Sequence, residues 1–175
     1  MVTAKFRRGL AAALSAGLIA AMSLPTASAL ELGEPMPNVV LPLLEQGRAG
    51  SAVTWRDYRG KLVYVDVWAS WCGPCRQAMP RLNEIRNEFG PRGFEVVAVN
   101  VDDKLEDALR FLSKYPVDYP VLLDPKGKLP TAFEIEGMPT SYLIDPNGVV
   151  LYQHTGFKKS DVEKIRTLIE AHLPR

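Results

Sequence analysis

The only two cysteines of the chain lie three residues apart, in the segment Cys72-Gly73-Pro74-Cys75. Residues 61–68, just before this segment, are dense in β-branched and aromatic side chains and predict a buried central strand. Residues 75–89 carry apolar side chains at spacings of three and four and predict a helix. The cysteine pair therefore stands at a strand–turn–helix junction. No other feature of the sequence constrains both fold and chemistry so strongly.

This spacing suits thiol chemistry. Unpaired N–H groups and the helix dipole favour negative charge at a helix N-terminus. Cys72, at or just before that terminus, is therefore predicted to have a lowered pKa and to act as the nucleophile near neutral pH. Cys75, one turn further on, is within reach to close a disulfide and release a bound substrate. Gly73 and Pro74 let the chain turn tightly into the helix.

Two alternatives for the cysteine pair are weaker. A disulfide that only staples the fold would contribute little here, because the stabilisation grows with the length of the closed loop. A zinc site needs two further ligands, and His154 and His172 stand at no recognisable zinc-binding spacing. We therefore predict no metal site, and no cofactor besides a redox-active disulfide.

The remaining pattern predicts alternating strands and helices that end in a hairpin and a last helix. We expect an edge strand at residues 39–44, because Pro42 lies within it. Ser160 is predicted to cap the last helix, with Glu163 completing a capping box. The result is an α/β fold, a three-layer α/β/α sandwich with a central mixed sheet. The other predicted strands are residues 94–101, 120–123, 141–144 and 149–152, together with a short strand and a helical turn within residues 51–59. The other predicted helix is residues 105–114, and residues 128–135 predict a helical turn.

The first 29 residues resemble a secretory signal peptide. They contain no acidic residue, begin with a basic stretch, continue with an apolar run over residues 9–24, and end in Ala27-Ser28-Ala29. We expect cleavage after Ala29, which leaves residues 30–175 as one domain in a bacterial periplasm. A retained N-terminal membrane anchor is the alternative, although the run is shorter than the roughly 20 residues that a spanning helix needs. Arg7-Arg8 leaves the choice between Sec and twin-arginine export open.

The charge balance argues against a nucleic-acid partner. The chain has 21 basic and 20 acidic residues, for a net charge of +1. A nucleic-acid-binding protein calls for a clustered basic face. We interpret Asp102-Asp103 and Lys158-Lys159 as solvated surface, and Trp68 as part of the core.

Three segments resemble a known family. They are residues 65–75 (VDVWASWCGPC), Pro80 five residues past Cys75, and residues 137–145 (GMPTSYLID). Together they resemble the thioredoxin fold, specifically the exported TlpA/ResA-like thiol-disulfide oxidoreductases, from about Pro35 to the C-terminus. The resemblance implies a cis peptide bond before Pro139, which would lie against the cysteine pair. It also implies that Trp71, Met138 and Pro139 form a substrate groove in which the backbone of Met138 pairs with an extended peptide.

Asp66 stands six residues before Cys72 in an otherwise apolar strand. A buried carboxyl group should have a raised pKa. The resemblance implies that Asp66 assists proton transfer to and from Cys75; the alternative is that strand alternation turns it to solvent. Residues 94–101 lack the basic residue that thioredoxin keeps near its buried Asp. We therefore expect Asp66 to titrate differently.

The predicted activity is disulfide reduction. The Cys72 thiolate attacks a client disulfide, and Cys75 resolves the mixed disulfide. Gly73-Pro74 resembles the reducing thioredoxins, so we predict a reductase of disulfide-containing client proteins. The resemblance implies a membrane electron donor of the DsbD/CcdA type. We expect the protein to be a monomer.

Four other functions are alternatives to this prediction. A thiol oxidant or isomerase could use the same scaffold. A cytochrome c maturation reductase is disfavoured by Ala78, where such members usually carry Glu, and by Thr140, where some of them also carry Glu. A peroxidase is disfavoured by Ala69, where peroxiredoxins carry Thr. The fourth is a binding module with a static disulfide, and a thiol probe applied after mild reduction would distinguish it.

Overall fold

A computed structural model describes residues 32–173 of the chain. The signal peptide predicted over residues 1–29 lies outside this range. Within the range, no helix combines the length and the apolar character that crossing a membrane requires.

The fold is organised around one mixed sheet of seven strands: β1 (Leu41–Glu45), β2 (Arg48–Val53), β3 (Leu62–Trp68), β4 (Phe94–Asn100), β5 (Val121–Leu123), β6 (Thr140–Ile144) and β7 (Val150–Thr155). Their order across the sheet is β2-β1-β5-β4-β3-β6-β7. Strands β3, β4 and β5 run parallel, and every other neighbouring pair is antiparallel. The central strands β3 and β4 are buried along their whole length, as their apolar runs predict.

Helices cover both faces of the sheet. Side chains that alternate along β3 separate into two clusters, because successive strand residues point to opposite faces. Tyr64 and Trp68 pack with α1 (Cys75–Phe89), α2 (Leu105–Lys114) and α4 (Asp161–His172). Val65 and Val67 pack with the short α3 (Lys128–Ala132) and with Trp55 of a 3-10 turn. The predicted three-layer sandwich with a mixed sheet is confirmed.

The prediction of an edge strand at residues 39–44 is wrong. The strand β1 lies between β2 and β5, and the hairpin partner β2 forms the edge instead. The register of the β1–β2 pair shifts between Pro42 and Leu44. Proline has no N–H to donate to a ladder, and a bulge accommodates that loss inside a sheet.

The predicted capping box at the last helix is also wrong. Ser160 has helical backbone angles, φ −65° and ψ −17°, and its side chain makes no capping hydrogen bond. An N-cap residue normally has extended angles that direct its side-chain oxygen at the first turn. The carboxylate of Asp161 instead accepts the N–H of Lys158 at 2.7 Å.

Candidate active site

The two cysteines form a disulfide at the start of α1. The sulfur atoms are 2.02 Å apart, and the helix begins at Cys75, with Pro74 before it. Cys72 is 4% exposed and Cys75 is 0% exposed. The backbone N–H of Cys75 donates to the Sγ of Cys72 at 3.2 Å. Cys72 therefore occupies the predicted position just before the helix, with a helix N–H directed at its sulfur, while Cys75 is enclosed.

The turn between the cysteines is held by its own backbone. The N–H of Cys72 donates to the carbonyl of Ala69 at 3.0 Å, and the N–H of Arg76 donates to the carbonyl of Gly73 at 3.3 Å. Trp71, which precedes Cys72, is 70% exposed. A large apolar side chain thus stands in solvent immediately beside the more accessible sulfur.

Asp66 lies in the middle of β3 and is fully buried, so the alternative that it faces solvent is wrong. The hydroxyl group of Ser141 donates to its Oδ1 at 2.7 Å. Its Oδ2 has no hydrogen-bond partner among residues 32–173. Burial raises the pKa of Asp66 from 3.8 to about 7, and the hydrogen bond from Ser141 opposes this rise. Such a carboxyl group can hold or release a proton near neutral pH.

The surroundings of Asp66 explain why burial is the largest cause of its pKa shift. Its neighbours across the sheet are Ala98 on β4 and Ser141 on β6, and neither carries a charge. Burial raises the pKa of Tyr64 and of Tyr119, and the nearby charge of Asp66 adds to both shifts. Strand alternation places Asp66 on the same face of β3 as Tyr64 and Trp68. That face packs against the cluster that contains both cysteines.

The segment before β6 forms an edge near the cysteines. The peptide bond between Met138 and Pro139 is cis, as the resemblance implied. The side chain of Met138 packs against the cluster that contains Cys72 and Cys75. The carbonyl of Pro139 accepts the N–H of Gly156 at 2.7 Å. Within the described part of the chain, neither backbone polar group of Met138 has a hydrogen-bond partner.

The interpretation of Asp102 as solvated surface is wrong. Asp102 is 5% exposed and accepts hydrogen bonds from the N–H and the hydroxyl group of Ser70 at 2.9–3.1 Å. It also accepts one from the side-chain amide of Asn100 at 2.7 Å. These contacts fix the end of β4 to the loop that carries Trp71. The signal that could have revealed them is the polar pair Asn100 and Asp102, placed where a buried strand ends.

Ser141 is the other residue that sequence reasoning missed. It contacts Asp66 because β3 and β6 pair antiparallel with these two residues directly opposite each other. The pairing of two distant strands is not visible in the sequence of either. The histidines carry no metal site with other described residues, among which no group of three or more potential ligands occurs. His154 instead lies 3.3 Å from the carboxylate of Asp161.

Comparisons with known proteins agree with this geometry. The Redoxin family model matches residues 31–169. The chain is 33% identical over 138 residues to the thiol-disulfide oxidoreductase ResA of Geobacillus kaustophilus, covering 78% of this chain and 77% of that protein. It is 32% identical over 127 residues to ResA of Bacillus thuringiensis subsp. konkukian, covering 73% and 71% respectively.

A solved structure is similar over most of the chain. It is a Chlorobium tepidum protein proposed to be a thiol:disulfide interchange protein DsbE. The TM-score is 0.78 and the sequence identity is 44%, covering 83% of this chain and all of that one.

Proposed function

Because the chain belongs to the Redoxin family and is a thiol-disulfide oxidoreductase of the ResA and DsbE type, we propose that it reduces disulfides in exported client proteins. The observation that carries the proposal is the arrangement of the two sulfur atoms. Cys72 alone reaches the surface and receives a helix N–H, while Cys75 is enclosed directly behind it.

The proposed reaction starts from the dithiol. The Cys72 thiolate attacks one sulfur of the client disulfide and displaces the other as a thiolate, which forms a mixed disulfide. Cys75 loses its proton, attacks the sulfur of Cys72, and displaces the client's remaining sulfur. The client gains two electrons, and the protein is left with the Cys72–Cys75 disulfide.

Asp66 is the proposed proton acceptor for Cys75. A thiol must lose its proton before it attacks. Cys75 is fully buried, so bulk water does not reach it in this structure. Asp66 lies on the sheet face that packs against the cysteine cluster, and its pKa of about 7 suits a base that works near neutral pH. Its unpartnered Oδ2 is the atom that we propose to take the proton.

The environment of Cys72 supports reduction over oxidation. Strong thiol oxidants owe their potential to a stabilised reduced form. Among residues 32–173, the single hydrogen-bond donor on the Cys72 sulfur is the N–H of Cys75, and no histidine or charged side chain donates to it. The Gly73-Pro74 dipeptide also resembles that of the reducing thioredoxins.

We further propose that Trp71, Met138 and Pro139 form the client groove. An extended client segment would pair with the backbone polar groups of Met138, which have no partner among the described residues. The exposed indole of Trp71 would cover the client beside the reacting sulfur. Cytochrome c maturation is not favoured within this proposal, because the buried Ala78 and the hydroxyl group of Thr140, bonded to the Gly137 carbonyl, supply no carboxylate.

The setting of the reaction is proposed from the sequence. Residues 1–29 would direct export and be cleaved after Ala29, which places one domain of residues 30–175 in the periplasm; retention as an N-terminal membrane anchor is the alternative. A membrane donor of the DsbD/CcdA type would return electrons to the pair. The protein would act as a monomer on its clients, with no nucleic-acid partner and no bound cofactor.

The test is to trap the mixed disulfide. Cys75→Ser, reduced and mixed with a disulfide-containing protein, should accumulate a covalent complex through Cys72, since the resolving sulfur is missing. Cys72→Ser is the matched control and should form none. Complexes of equal yield through either cysteine would contradict the assignment of roles. A wild-type disulfide that resists reduction and reacts with no client would favour the static binding module.

A further inference from the structure

Two shallow grooves flank the cysteine pair, and Arg76 lines both. The first, of ≈ 260 Å³, runs from Ser70 to α2. The second, of ≈ 320 Å³, runs along α1 toward Phe157 and Lys159. Ser70 and Arg76 stand immediately before and after the segment from Trp71 to Cys75, so the first groove adjoins the redox site in the chain as well as in space.

Both grooves carry an excess of positive charge. The first is lined by Arg76, Arg110 and Lys114 against one carboxylate, Asp107, which pairs with Arg110. The second adds Arg81 and Lys159 against Glu84, which pairs with Arg81 at 2.9 Å. Within residues 32–173, no carboxylate lies within 4.0 Å of the cationic groups of Arg76, Lys114 or Lys159. The two grooves thus hold three positive charges without a carboxylate partner among the described residues.

This excess of positive charge is local, because residues 32–173 together contain two more acidic than basic side chains. The central cation is also close to the reacting groups. The Nη2 atom of Arg76 lies 3.7 Å from the point where a Cβ on Gly73 would stand, so its guanidinium group reaches back over the dipeptide between the cysteines. The side chains of Phe111 and Tyr115 add an apolar lining to the first groove.

We propose that these two grooves bind acidic residues that flank the cystine of the client protein. The inference rests on the proposed reductase function and names its substrate class. An extended segment advances about 3.3 Å per residue, so residues a few positions from the client's cysteine can reach the grooves, which begin at Ser70 and Arg76. Charges at the rim of an interface act mainly on the association rate and are screened by salt. The preference for acidic clients is therefore a kinetic one.

The experiment compares two peptides that share one disulfide. One has Asp and Glu beside the cysteines, and the other has Asn and Gln at the same positions. The second-order rate constant for reduction by the reduced protein is measured for each at low and high salt. We expect the acidic peptide to react about ten-fold faster at low salt, with the advantage shrinking as salt is added. Equal rate constants for the two peptides would overturn the inference.

Charge-reversal variants locate the effect. Lys114→Glu in the first groove, and Lys159→Glu in the second, should each lower the ratio of the two rate constants several-fold. Because each ratio is taken within one variant, a loss of folded protein cancels. Arg92→Glu is the matched control and should keep the wild-type ratio. It lies in the exposed turn after α1, and this 15-residue helix separates it from the cysteines by about 20 Å. Equal ratios in all four proteins would contradict the inference.

Two further outcomes separate this inference from its alternatives. If neither peptide is reduced, the proposed reductase function fails, whereas equal reduction of both overturns only the acidic preference. Vesicles of phosphatidylglycerol test whether the grooves serve a lipid surface instead. If wild type binds these vesicles, Lys114→Glu does not, and the ratio of the two peptide rate constants is near one, the grooves serve a membrane and the inference is overturned.

Discussion

The substitution Asp66→Asn tests whether burial raises the pKa of the Asp66 carboxyl group. The unfolded-state pKa is near the usual 3.8, and burial raises the folded-state pKa to about 7. Between these two values the unfolded chain has lost a proton that the folded chain keeps. The free energy of unfolding therefore falls as the pH rises from about 4 to about 7, and this contribution is constant above that range.

The magnitude follows from the two pKa values. From pH 5 up to the folded-state pKa is about two pH units, and each unit corresponds to 1.36 kcal/mol. Wild type should therefore lose about 3 kcal/mol between pH 5 and pH 8 through this group. Asparagine keeps an oxygen that accepts from Ser141, but it has no proton to lose, so its contribution is independent of pH. Any constant cost of the buried amide cancels when the two pH values are compared.

The assay is urea unfolding of the oxidised proteins near pH 5 and near pH 8, with free energies taken by linear extrapolation. Asp66→Asn should gain about 3 kcal/mol relative to wild type on going from the lower to the higher pH. Asp103→Asn makes the same chemical change on an exposed residue and should follow wild type. An Asp66→Asn variant that also follows wild type at both pH values would refute the burial argument.

Three further substitutions probe the neighbouring contacts. Ser141→Ala removes the hydroxyl group that lowers the pKa of Asp66, so the fall in the free energy of unfolding should extend to higher pH in urea unfolding experiments. Ser141→Thr should restore the wild-type pH profile, and an unchanged profile for Ser141→Ala would contradict the prediction. Asp102→Ala leaves the part-buried donors of Ser70 and the buried amide of Asn100 without an acceptor, and should lower the free energy of unfolding by at least about 2 kcal/mol. Asp103→Ala, on an exposed residue, should lower it by less than about 0.5 kcal/mol. Equal losses for the two variants would refute the burial of Asp102. Trp71→Ala should change the free energy of unfolding by less than about 0.5 kcal/mol but raise KM for protein clients several-fold. Replacing the buried Trp68 with Ala should instead lower the free energy of unfolding by about 3–5 kcal/mol. An unchanged KM in Trp71→Ala would show that Trp71 is not part of the client groove.

The central part of the fold could be predicted because local patterns there agree with the final packing. The strand before Cys72 and the helix after it are dense in apolar residues at strand and helix spacings, and both are buried as expected. The burial of Asp66 followed from its position within that apolar strand. The position of β1 did not follow, because local reasoning about Pro42 could not detect that β2 would fold back and occupy the edge.

The contacts around the site were less accessible to sequence reasoning because they join distant parts of the chain. Ser141 reaches Asp66 through the pairing of β3 with β6, which are 75 residues apart at this contact. The pair Asp102-Asp103 predicts surface, because two acidic residues in a row usually face solvent. The burial of Asp102 depends on the donors that the loop at Ser70 supplies, and that loop is distant in the sequence. The first basic groove likewise requires the packing of α2 beside α1, and the second requires Phe157 and Lys159 to lie beside α1.

The reduction potential of the Cys72–Cys75 pair, determined in thiol–disulfide buffers of known potential, tests the claim that the protein is a disulfide reductase. If the protein is a reductase supplied by a membrane donor, we expect a reduction potential well below about −200 mV, close to the roughly −270 mV of thioredoxin. A value near −120 mV, typical of strong thiol oxidants, would contradict the claim and assign the protein to disulfide formation or isomerisation.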